Sequence, residues 1–317
     1  MISDPLVSIV IPAFNASPWI ADALGSALAQ TWRNIEVVVV DDGSTDSTSQ
    51  IVRSNPDSRL RLLRQPNVGA AAARNHGMEI SRGDLFQFLD ADDMLGPDKL
   101  SLQLEALKNS PRGSVASCAW GKFSATPASA VFAPEPVWTE SDPVQWLIKS
   151  LSGGGMMQPA AWLVPRAIAE AAGPWNDSLS LHDDGEFFTR VLLAASRNVF
   201  VPGAKVFYRE VSGSLSRRRD RAAISSAFAV CAARHRHLLA VADTPAARGA
   251  LATQYAQFAY EFASAAPDLT AQAVAAIETL GVRPKNHVGG SMFRVAASLL
   301  GFNAAQKLRR SIPVHRD

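Results

Sequence analysis

Three carboxylates stand close together directly after an apolar stretch, and no other residues of this chain are better suited to chemistry. Asp90, Asp92 and Asp93 follow the run 85–89, and the next basic residue along the sequence is Lys99. Like charges at this spacing repel one another. A divalent cation such as Mg²⁺ or Mn²⁺ would relieve the repulsion, because it prefers oxygen ligands and keeps positions for phosphate. The alternative is a solvated loop in which one Asp caps the next helix.

Three other polar segments each admit two interpretations. Asp42, in Asp-Asp-Gly-Ser, could accept a hydrogen bond from a ribose hydroxyl or a base N–H, or could form an Asx-turn or helix cap. Arg74, near a helix start of small residues, could meet a diphosphate or form an ordinary surface ion pair. Asp183 and Asp184 open an apolar helix, where an acidic residue could be catalytic but is usually a cap. The glycines near Arg74 do not follow the dinucleotide-binding pattern, which counts against an NAD site.

The elements that must position these residues alternate between strand and helix. Apolar runs predict strands at 6–11, 35–40, 59–63 and 85–89. Helices are predicted after Ser17-Pro18, up to about Arg53, at 69–80 and at 97–109. This alternation predicts an open, mainly parallel α/β sheet with helices on both faces, and ligands bind such sheets beyond the carboxyl ends of the strands. The polar clusters of this sequence also come directly after predicted strands, which places them where a ligand would bind.

The pattern is less regular after residue 114. Strands are predicted at 115–123, 130–132, 160–164, 199–201 and 204–209. Helices are predicted at 143–151, capped by Asp142, and at 184–195. After Arg219 the chain is rich in alanine, which is typical of helices, and three to five of them are expected.

Composition narrows the class of protein further. The chain has 317 residues, 47% of them hydrophobic, and a formal net charge of +2. The apolar fraction excludes a disordered chain, and the small net charge argues against a dedicated nucleic-acid binder. Cys118 and Cys231 are the only cysteines, which excludes a disulfide scaffold and a cysteine-based metal site.

Charge is distributed unevenly along the chain. Residues 1–215 carry 17 basic and 23 acidic side chains, whereas residues 216–317 carry 14 and 6. This change predicts a boundary near 212–221 between a domain at 1–215 and a basic helical extension at 216–317. No uninterrupted apolar run is long enough for a membrane span, and the amino terminus lacks a basic region, so we expect a cytoplasmic protein without a signal peptide.

Five segments, in their order and spacing, resemble the family 2 glycosyltransferases of the GT-A fold, the fold of nucleotide-diphospho-sugar transferases. The resemblance covers about residues 5–215. The segments are VSIVIPAFN at 7–15, VVVDDGSTD at 38–46, NVGAAAARNHG at 67–77, FLDADD at 88–93 and DDGE at 183–186.

The resemblance implies a role for each matching position. Asp42 would contact the uracil or ribose, and Arg74 would lie by the nucleotide. Asp90 and Asp92 would form the metal-binding Asp-x-Asp pair, with Asp92 as the more direct ligand. Asp184 would be the general base. Asp183, which stands where the family usually has Glu, is the second candidate for that role. The residues that would border the nucleotide are Pro12, Phe14 and Asn15.

The implied activity is an inverting, metal-dependent transfer of a sugar from a nucleotide sugar, in the first instance a UDP-sugar, to a hydroxyl acceptor. The acceptor would be a saccharide or a lipid-linked molecule, as in the synthesis of cell-surface polysaccharide or glycolipid. Two alternatives stay open. One is a sugar nucleotidyltransferase, although the segment 11–17 lacks the Gly-rich basic loop that binds a triphosphate. The other is a non-catalytic carbohydrate-binding protein.

Two other features bear on the partners of the chain. Five tryptophans lie between residues 120 and 175, and one or two of them could stack on an acceptor sugar, although the core is the more common place for an indole. The apolar run 292–302, followed by Lys307, Arg309 and Arg310, could touch the inner face of an anionic membrane. Packing of that helix on the main domain is the preferred alternative.

Overall fold

A five-stranded, mainly parallel sheet forms the centre of the molecule. The computed structural model describes residues 4–211, 218–285, 288–290, 293, 302, 304 and 305. The strands are β1 (Val7–Ala13), β2 (Ile35–Asp41), β3 (Leu60–Arg64), β4 (Leu85–Phe88), β5 (Met94–Leu95), β6 (Ser114–Phe123), β7 (Val164–Pro165) and β8 (Arg197–Arg209). The central sheet has the order β3-β2-β1-β4-β7, in which only the β4–β7 pair is antiparallel. Every residue of β1 and β2 is buried, as expected for strands covered on both faces.

A second sheet, of order β5-β8-β6, lies beside the first. β8 pairs with β6 in parallel and with the two-residue β5 in antiparallel orientation. The register between β6 and β8 shifts after Cys118, which pairs with Val201, whereas the next residue of β6 pairs with Lys205. β8 is therefore one long strand with an irregularity, although two strands were predicted, at 199–201 and 204–209. Because β5 follows the carboxylates at 90–93 directly, this sheet brings the end of β8 to them.

Helices cover both faces of the central sheet and continue into a carboxyl-terminal layer. α8 packs on α7, and α9 packs on α8, on α10 and on a π-helical turn at Ser150–Gly154. The larger apolar core extends without interruption from β1 to α10. The helices are α1 (Ile20–Leu28), α2 (Thr48–Arg53), α3 (Ala70–Ile80), α4 (Lys99–Lys108), α5 (Pro143–Lys149), α6 (Arg166–Ala172), α7 (Asp183–Ala194), α8 (Arg221–Val241), α9 (Pro245–Phe262) and α10 (Pro267–Leu280).

The predicted mainly parallel α/β sheet is confirmed, with several local corrections. α1 begins at Ile20 without a side-chain cap, so the predicted start at Ser17-Pro18 is wrong. The segment 130–132 contributes one isolated bridge, from Val131 to Lys122, instead of a strand. A short 3₁₀ turn occupies Pro159–Ala161, leaving only β7 of the strand predicted at 160–164. The cap of α5 is confirmed, because Asp142 accepts from the backbone N–H of Gln145.

Part of the carboxyl-terminal region lies outside the described residues. The predicted boundary near 212–221 falls mostly there, so the division at residue 215 stays a prediction. Most of the apolar run 292–302 and the basic residues Lys307, Arg309 and Arg310 also lie outside the described residues, so their contact with a membrane stays a prediction. Phe293 and Phe302 of that run are described and pack together with ring centroids 5.7 Å apart. Phe293 also contacts Tyr260 of α9. Within the described ranges, no helix is both long and apolar enough to cross a bilayer.

Candidate active site

A buried arginine joins two of the predicted acidic segments. Arg74, on α3, donates to Asp90 Oδ1 at 2.7 Å and to Asp183 Oδ2 at 2.9 Å. Its guanidinium carbon lies 4.5 Å from the ring centroid of Trp175, which covers the pair from one side. Burial lowers the pKa of Arg74, but the two carboxylates outweigh it and hold the pKa above its ordinary value. The end of β4 and the start of α7 therefore meet at one permanent positive charge.

Asp92 and Asp93, which follow Asp90 in the sequence, add negative charge that Arg74 does not offset. Burial, and then repulsion from Asp90, raises the pKa of Asp92 to about 6. Asp93 is almost fully buried, and its pKa also lies well above the ordinary value, through burial and then the charges of Asp92 and Asp90. Among the described residues, Asp93 Oδ2 is buried without a hydrogen-bond partner. This segment is thus short of positive charge and of donors.

Arg209, at the end of β8, supplies part of the missing compensation. Its backbone N–H donates to Asp93 Oδ1 at 2.9 Å, and its Nε donates to the backbone carbonyl of Asp92 at 2.8 Å. Its Nη2 also reaches Asp22 at 2.8 Å. Lys99, the nearest cation in sequence, points elsewhere: it is buried against Gln87 and Gln103, and burial lowers its pKa to about 8.

A hard divalent cation fits the carboxylates that follow β4. Among the described residues, no group of three or more His, Cys, Asp or Glu could hold a metal alone. Mg²⁺ and similar ions, however, are commonly bound by one or two carboxylates together with substrate phosphates. Asp90 is already paired with Arg74, whereas Asp92 has a raised pKa that a bound cation would lower. The donor chemistry therefore favours Asp92 as the main ligand.

Asp184 lies at the start of α7 and lines a cleft of about 390 Å³. Its Oδ1 accepts from the backbone N–H of Gly185 at 2.8 Å. Burial raises the pKa of Asp184, and the charges of Arg234 and Arg74 oppose that rise. His182, just before the helix, has a left-handed backbone with φ of 60°. A carboxylate with a raised pKa beside a cleft is suited to accept a proton.

Asp42 is buried at the end of β2 and binds the loop that leads into α3. Its Oδ1 accepts from Gln65 Nε2 at 2.8 Å and from the backbone N–H of Val68 at 3.0 Å. Its Oδ2 accepts from the N–H of Gly69 at 2.8 Å. In this structure Asp42 thus fixes the start of the helix that carries Arg74, and its predicted contact with a nucleotide stays a prediction.

The three residues predicted to border a nucleotide lie at the end of β1. Pro12 is buried within the strand and pairs with Val40. Phe14 is 49% exposed, so its ring is available to a ligand. Asn15 has φ of 49°, and its Oδ1 accepts from the N–H of Thr45 at 2.9 Å, which links this loop to the one after β2. Their contact with a nucleotide also stays a prediction.

The tryptophans proposed as sugar platforms are mostly core residues. Trp120, Trp146, Trp162 and Trp175 are all less than 9% exposed. Their rings pack on other aromatic rings, as in the stacked pair of Trp175 and Phe187 with centroids 4.1 Å apart. The core-packing alternative is therefore correct for these four.

Sequence reasoning missed the two arginines that approach the acidic segments from distant elements. Arg209 is 116 residues from Asp93, and Arg234 is 49 residues from Gly185, to whose carbonyl oxygen its Nε donates at 2.8 Å. The strongly basic composition of residues 216–317 was the one available signal for Arg234.

Comparison with known proteins supports the same interpretation of the fold. TarS 1–349 of S. aureus, solved in complex with UDP-GlcNAc, superposes with a TM-score of 0.70 at 18% identity, covering 98% of this chain and 93% of that one. The mannosyltransferase PcManGT of Pyrobaculum calidifontis, solved with GDP-Man and Mn²⁺, gives a TM-score of 0.58 at 22% identity over 97% and 81% of the two chains. These similarities establish the GT-A fold.

Sequence relatives point to one family. An uncharacterized glycosyltransferase of Haemophilus influenzae is 44% identical over 103 residues, which is 32% of this chain and 41% of that one. Glycosyltransferase GlyG of Streptococcus pneumoniae is 26% identical over 67% of this chain and 73% of its own length. The chain thus spans less than half of the first of these relatives. The family model described as Glycosyl transferase family 2 matches residues 8–143. Residues 8–143 of this chain are therefore similar to glycosyl transferase family 2.

Proposed function

We propose that this protein transfers a sugar from a nucleotide sugar to a hydroxyl group of an acceptor. The observation that carries the proposal is the pairing of Arg74 with both Asp90 and Asp183. That pairing unites the acidic segment after β4, suited to a cation and a diphosphate, with the acidic start of α7, suited to a base. The match of residues 8–143 to the glycosyl transferase family 2 model supports the same activity.

The donor end of the site is proposed to lie at the carboxyl edge of the central sheet. Phe14 and Asn15 after β1, and Asp42 after β2, would border the nucleoside, with Pro12 fixing the end of β1. A UDP-sugar is the proposed donor class, and the complex of TarS with UDP-GlcNAc supports the choice. The complex of PcManGT with GDP-Man makes guanosine donors the first alternative to test.

The diphosphate is proposed to bind beside Asp92. A bound Mn²⁺ or Mg²⁺ would offset the negative charge that grows on the leaving diphosphate. Asp92, assisted by Asp90, would hold that ion. Arg74 keeps Asp90 oriented and adds positive charge behind it. Arg209 holds the backbone of Asp92 in place through its 2.8 Å hydrogen bond.

Asp184 is the proposed general base. It would accept the proton of the acceptor hydroxyl as that oxygen attacks the anomeric carbon opposite the leaving group, so the configuration inverts. Burial raises its pKa, and a higher pKa makes the ionised carboxylate a stronger base. Asp183, by contrast, is engaged with Arg74, which supports Asp184 over its neighbour.

The acceptor is proposed to be a saccharide or a lipid-linked saccharide of the cell surface. A cytoplasmic location, with peripheral contact at the inner face of the membrane through the carboxyl-terminal helices, stays a prediction. Co-sedimentation of the full chain with vesicles containing anionic lipid tests the membrane contact, with neutral vesicles as control.

Calorimetry with UDP and GDP, each with and without Mn²⁺, tests the nucleotide and metal parts of the proposal. We expect UDP to bind, and to bind more tightly with the metal. If UDP bound equally well with and without Mn²⁺, that result would contradict the proposal that a cation takes part in donor binding. Incubation with a nucleoside triphosphate and a sugar 1-phosphate is the counter-test, since formation of a nucleotide sugar would indicate a nucleotidyltransferase instead.

A further inference from the structure

Arg234, on α8, lies unusually close to the first turn of α7. Its Nε donates to the carbonyl oxygen of Gly185 at 2.8 Å. A Cβ atom built at Gly185 would come within 2.0 Å of Nη2 and 2.7 Å of Cζ of this guanidinium. Glycine is a poor helix former, so its presence in this turn needs a reason. The close approach of Arg234 supplies one.

Arg234 and Asp184 line the same cleft from two sides. α7 contributes Asp184 and Gly185, while α8 and α9 contribute Arg234, Gln254 and other residues. Gln254 Oε1 accepts from Nη1 of Arg234 at 3.4 Å, and Gln254 Nε2 donates to the carbonyl oxygen of Cys231 at 3.2 Å. The guanidinium is thus held by α9 as well as by α7. The carboxyl-terminal helices form one wall of the space next to the proposed base.

The charges around Asp184 leave Arg234 a distinct role. Arg74 also attracts Asp184, but it already pairs with two other carboxylates. Of the groups that oppose the effect of burial on the pKa of Asp184, Arg234 is the largest. The other titratable groups that line this cleft are His182, Cys231 and Glu261. The charges of Asp90, Asp183 and Glu186 also act on Asp184 or Arg234.

We propose that Arg234 is a positioning residue for the transfer reaction, holding the first turn of α7 so that Asp184 lines the cleft. The carboxyl-terminal helices then complete the active site of the family 2 domain. This inference rests on the proposed function, because it assigns Asp184 the role of base. Arg234 touches neither the sugar nor the diphosphate in this account and acts through Asp184.

The test compares Arg234→Gln, Arg234→Lys and Gly185→Ala with the wild type. The control is Arg236→Gln, on the exposed side of α8. Hydrolysis of UDP-GlcNAc, or of GDP-Man if that is the donor cleaved, is followed against pH with Mn²⁺ present. For Arg234→Gln we expect kcat to fall by about tenfold or more with donor KM unchanged, and the acidic limb to move to higher pH. Arg234→Lys should recover part of the loss, and Arg236→Gln should resemble the wild type.

Gly185→Ala separates positioning from folding. Alanine favours the helix, which offsets part of the cost of displacing Arg234, so the melting temperature should fall less than in Arg234→Gln, while the displaced guanidinium should reproduce the kinetics of Arg234→Gln. If Gly185→Ala and Arg234→Gln both keep the wild-type kcat and pH profile, Arg234 has no such role. The same conclusion would follow if Arg234→Gln changed only donor KM.

A measurement without turnover distinguishes this proposal from the proposed function. The carboxyl group of Asp184 can be titrated by NMR in protein with ¹³C-labelled Asp, with the signal assigned by its loss in Asp184→Asn. Loss of the positive charge should make Asp184 titrate at higher pH in Arg234→Gln than in the wild type or Arg236→Gln. Absence of hydrolysis in the wild type would refute the proposed function alone, whereas an unchanged titration would refute the role of Arg234.

Discussion

Arg74 and Asp183 are 109 residues apart in sequence, and their side chains meet in a hydrogen-bonded ion pair of 2.9 Å. Arg74 comes from α3, which Asp42 fixes at its start, and Asp183 opens α7. The same guanidinium binds Asp90 at 2.7 Å. One buried cation therefore sets the relative positions of the two acidic segments on which the proposed chemistry depends.

Arg74→Met should destabilise the fold strongly. It leaves Asp90 and Asp183 without their shared cation in a partly buried place, and losing one partner of such a pair costs about 3–5 kcal/mol. Urea unfolding measures the change. Arg197→Met is the control, because Arg197 and Glu140 form an exposed pair whose loss should cost less than about 1 kcal/mol. Equal effects of the two substitutions would contradict a central role for Arg74.

Asp184→Asn should abolish transfer while leaving nucleotide binding intact. The amide cannot accept the proton, and general-base assistance is worth about 10²–10⁴-fold in rate. Turnover and calorimetry with UDP measure the two properties separately. Asp183→Asn is the matched comparison: if it, instead of Asp184→Asn, removes turnover with binding intact, the base is Asp183. Equal loss of donor binding in Asp184→Asn would refute its role as base.

Asp92→Asn should stabilise the metal-free protein at pH 7.5. The pKa of Asp92 in the folded chain is about 6, above its ordinary value of 3.8, so the folded state favours the protonated carboxyl. The stability that Asp92 contributes is fully present below pH 3.8 and is lost as the pH rises through 6. Removing the charge should therefore raise the free energy of unfolding at pH 7.5 by about 1–3 kcal/mol, since water screens a partly exposed carboxylate.

Thermal unfolding with and without Mn²⁺ completes that test. In the presence of UDP, whose phosphates would complete the coordination, the metal should raise the melting temperature of the wild type and have little effect on Asp92→Asn. Asp98→Asn, an exposed acidic residue before α4, is the control and should respond to Mn²⁺ as the wild type does. A metal effect that persists in Asp92→Asn would place the cation elsewhere.

Asp42→Asn should weaken both the fold and UDP binding. The carboxylate accepts three hydrogen bonds from Gln65, Val68 and Gly69, and an amide can accept at only one of its two atoms. Hydrogen bonds to a charged group are worth about 1.5–3 kcal/mol, so urea unfolding should detect the loss. Gln65→Leu removes one donor and keeps the carboxylate. If Gln65→Leu weakens UDP binding as much as Asp42→Asn does, Asp42 acts only through the loop.

The central sheet was predictable because burial on both faces leaves a plain mark in the sequence. β1 and β2 are mostly apolar, with Ser8 and Glu36 as buried polar exceptions, and the polar residues that follow these parallel strands lie at one edge. The short segments 130–132 and 160–164 were mispredicted, because a few apolar residues do not distinguish a strand from a buried turn. The two strands predicted at 199–201 and 204–209 form one strand, β8, because both pair with β6 on either side of a bulge. The sequence of β8 alone does not reveal that pairing.

The acidic segments of the candidate site and Arg74 could be identified from the sequence, but the other two arginines that approach these segments could not. Like charges in one short segment signal a need for compensation, whatever supplies it. The nearest candidate in sequence, Lys99, instead binds Gln87 and Gln103. Arg209 and Arg234 approach from β8 and α8, and only the folded chain brings such distant elements together.

The most direct test of the account is the release of sugar from a panel of UDP- and GDP-sugars by the full chain, with Mn²⁺ and with the metal chelated. The anomer that forms first is identified by NMR. We predict metal-dependent cleavage of at least one donor with inversion at the anomeric carbon, and its loss in both Asp92→Asn and Asp184→Asn. Cleavage that proceeds equally without metal and in both variants would contradict the claim that these carboxylates perform the reaction.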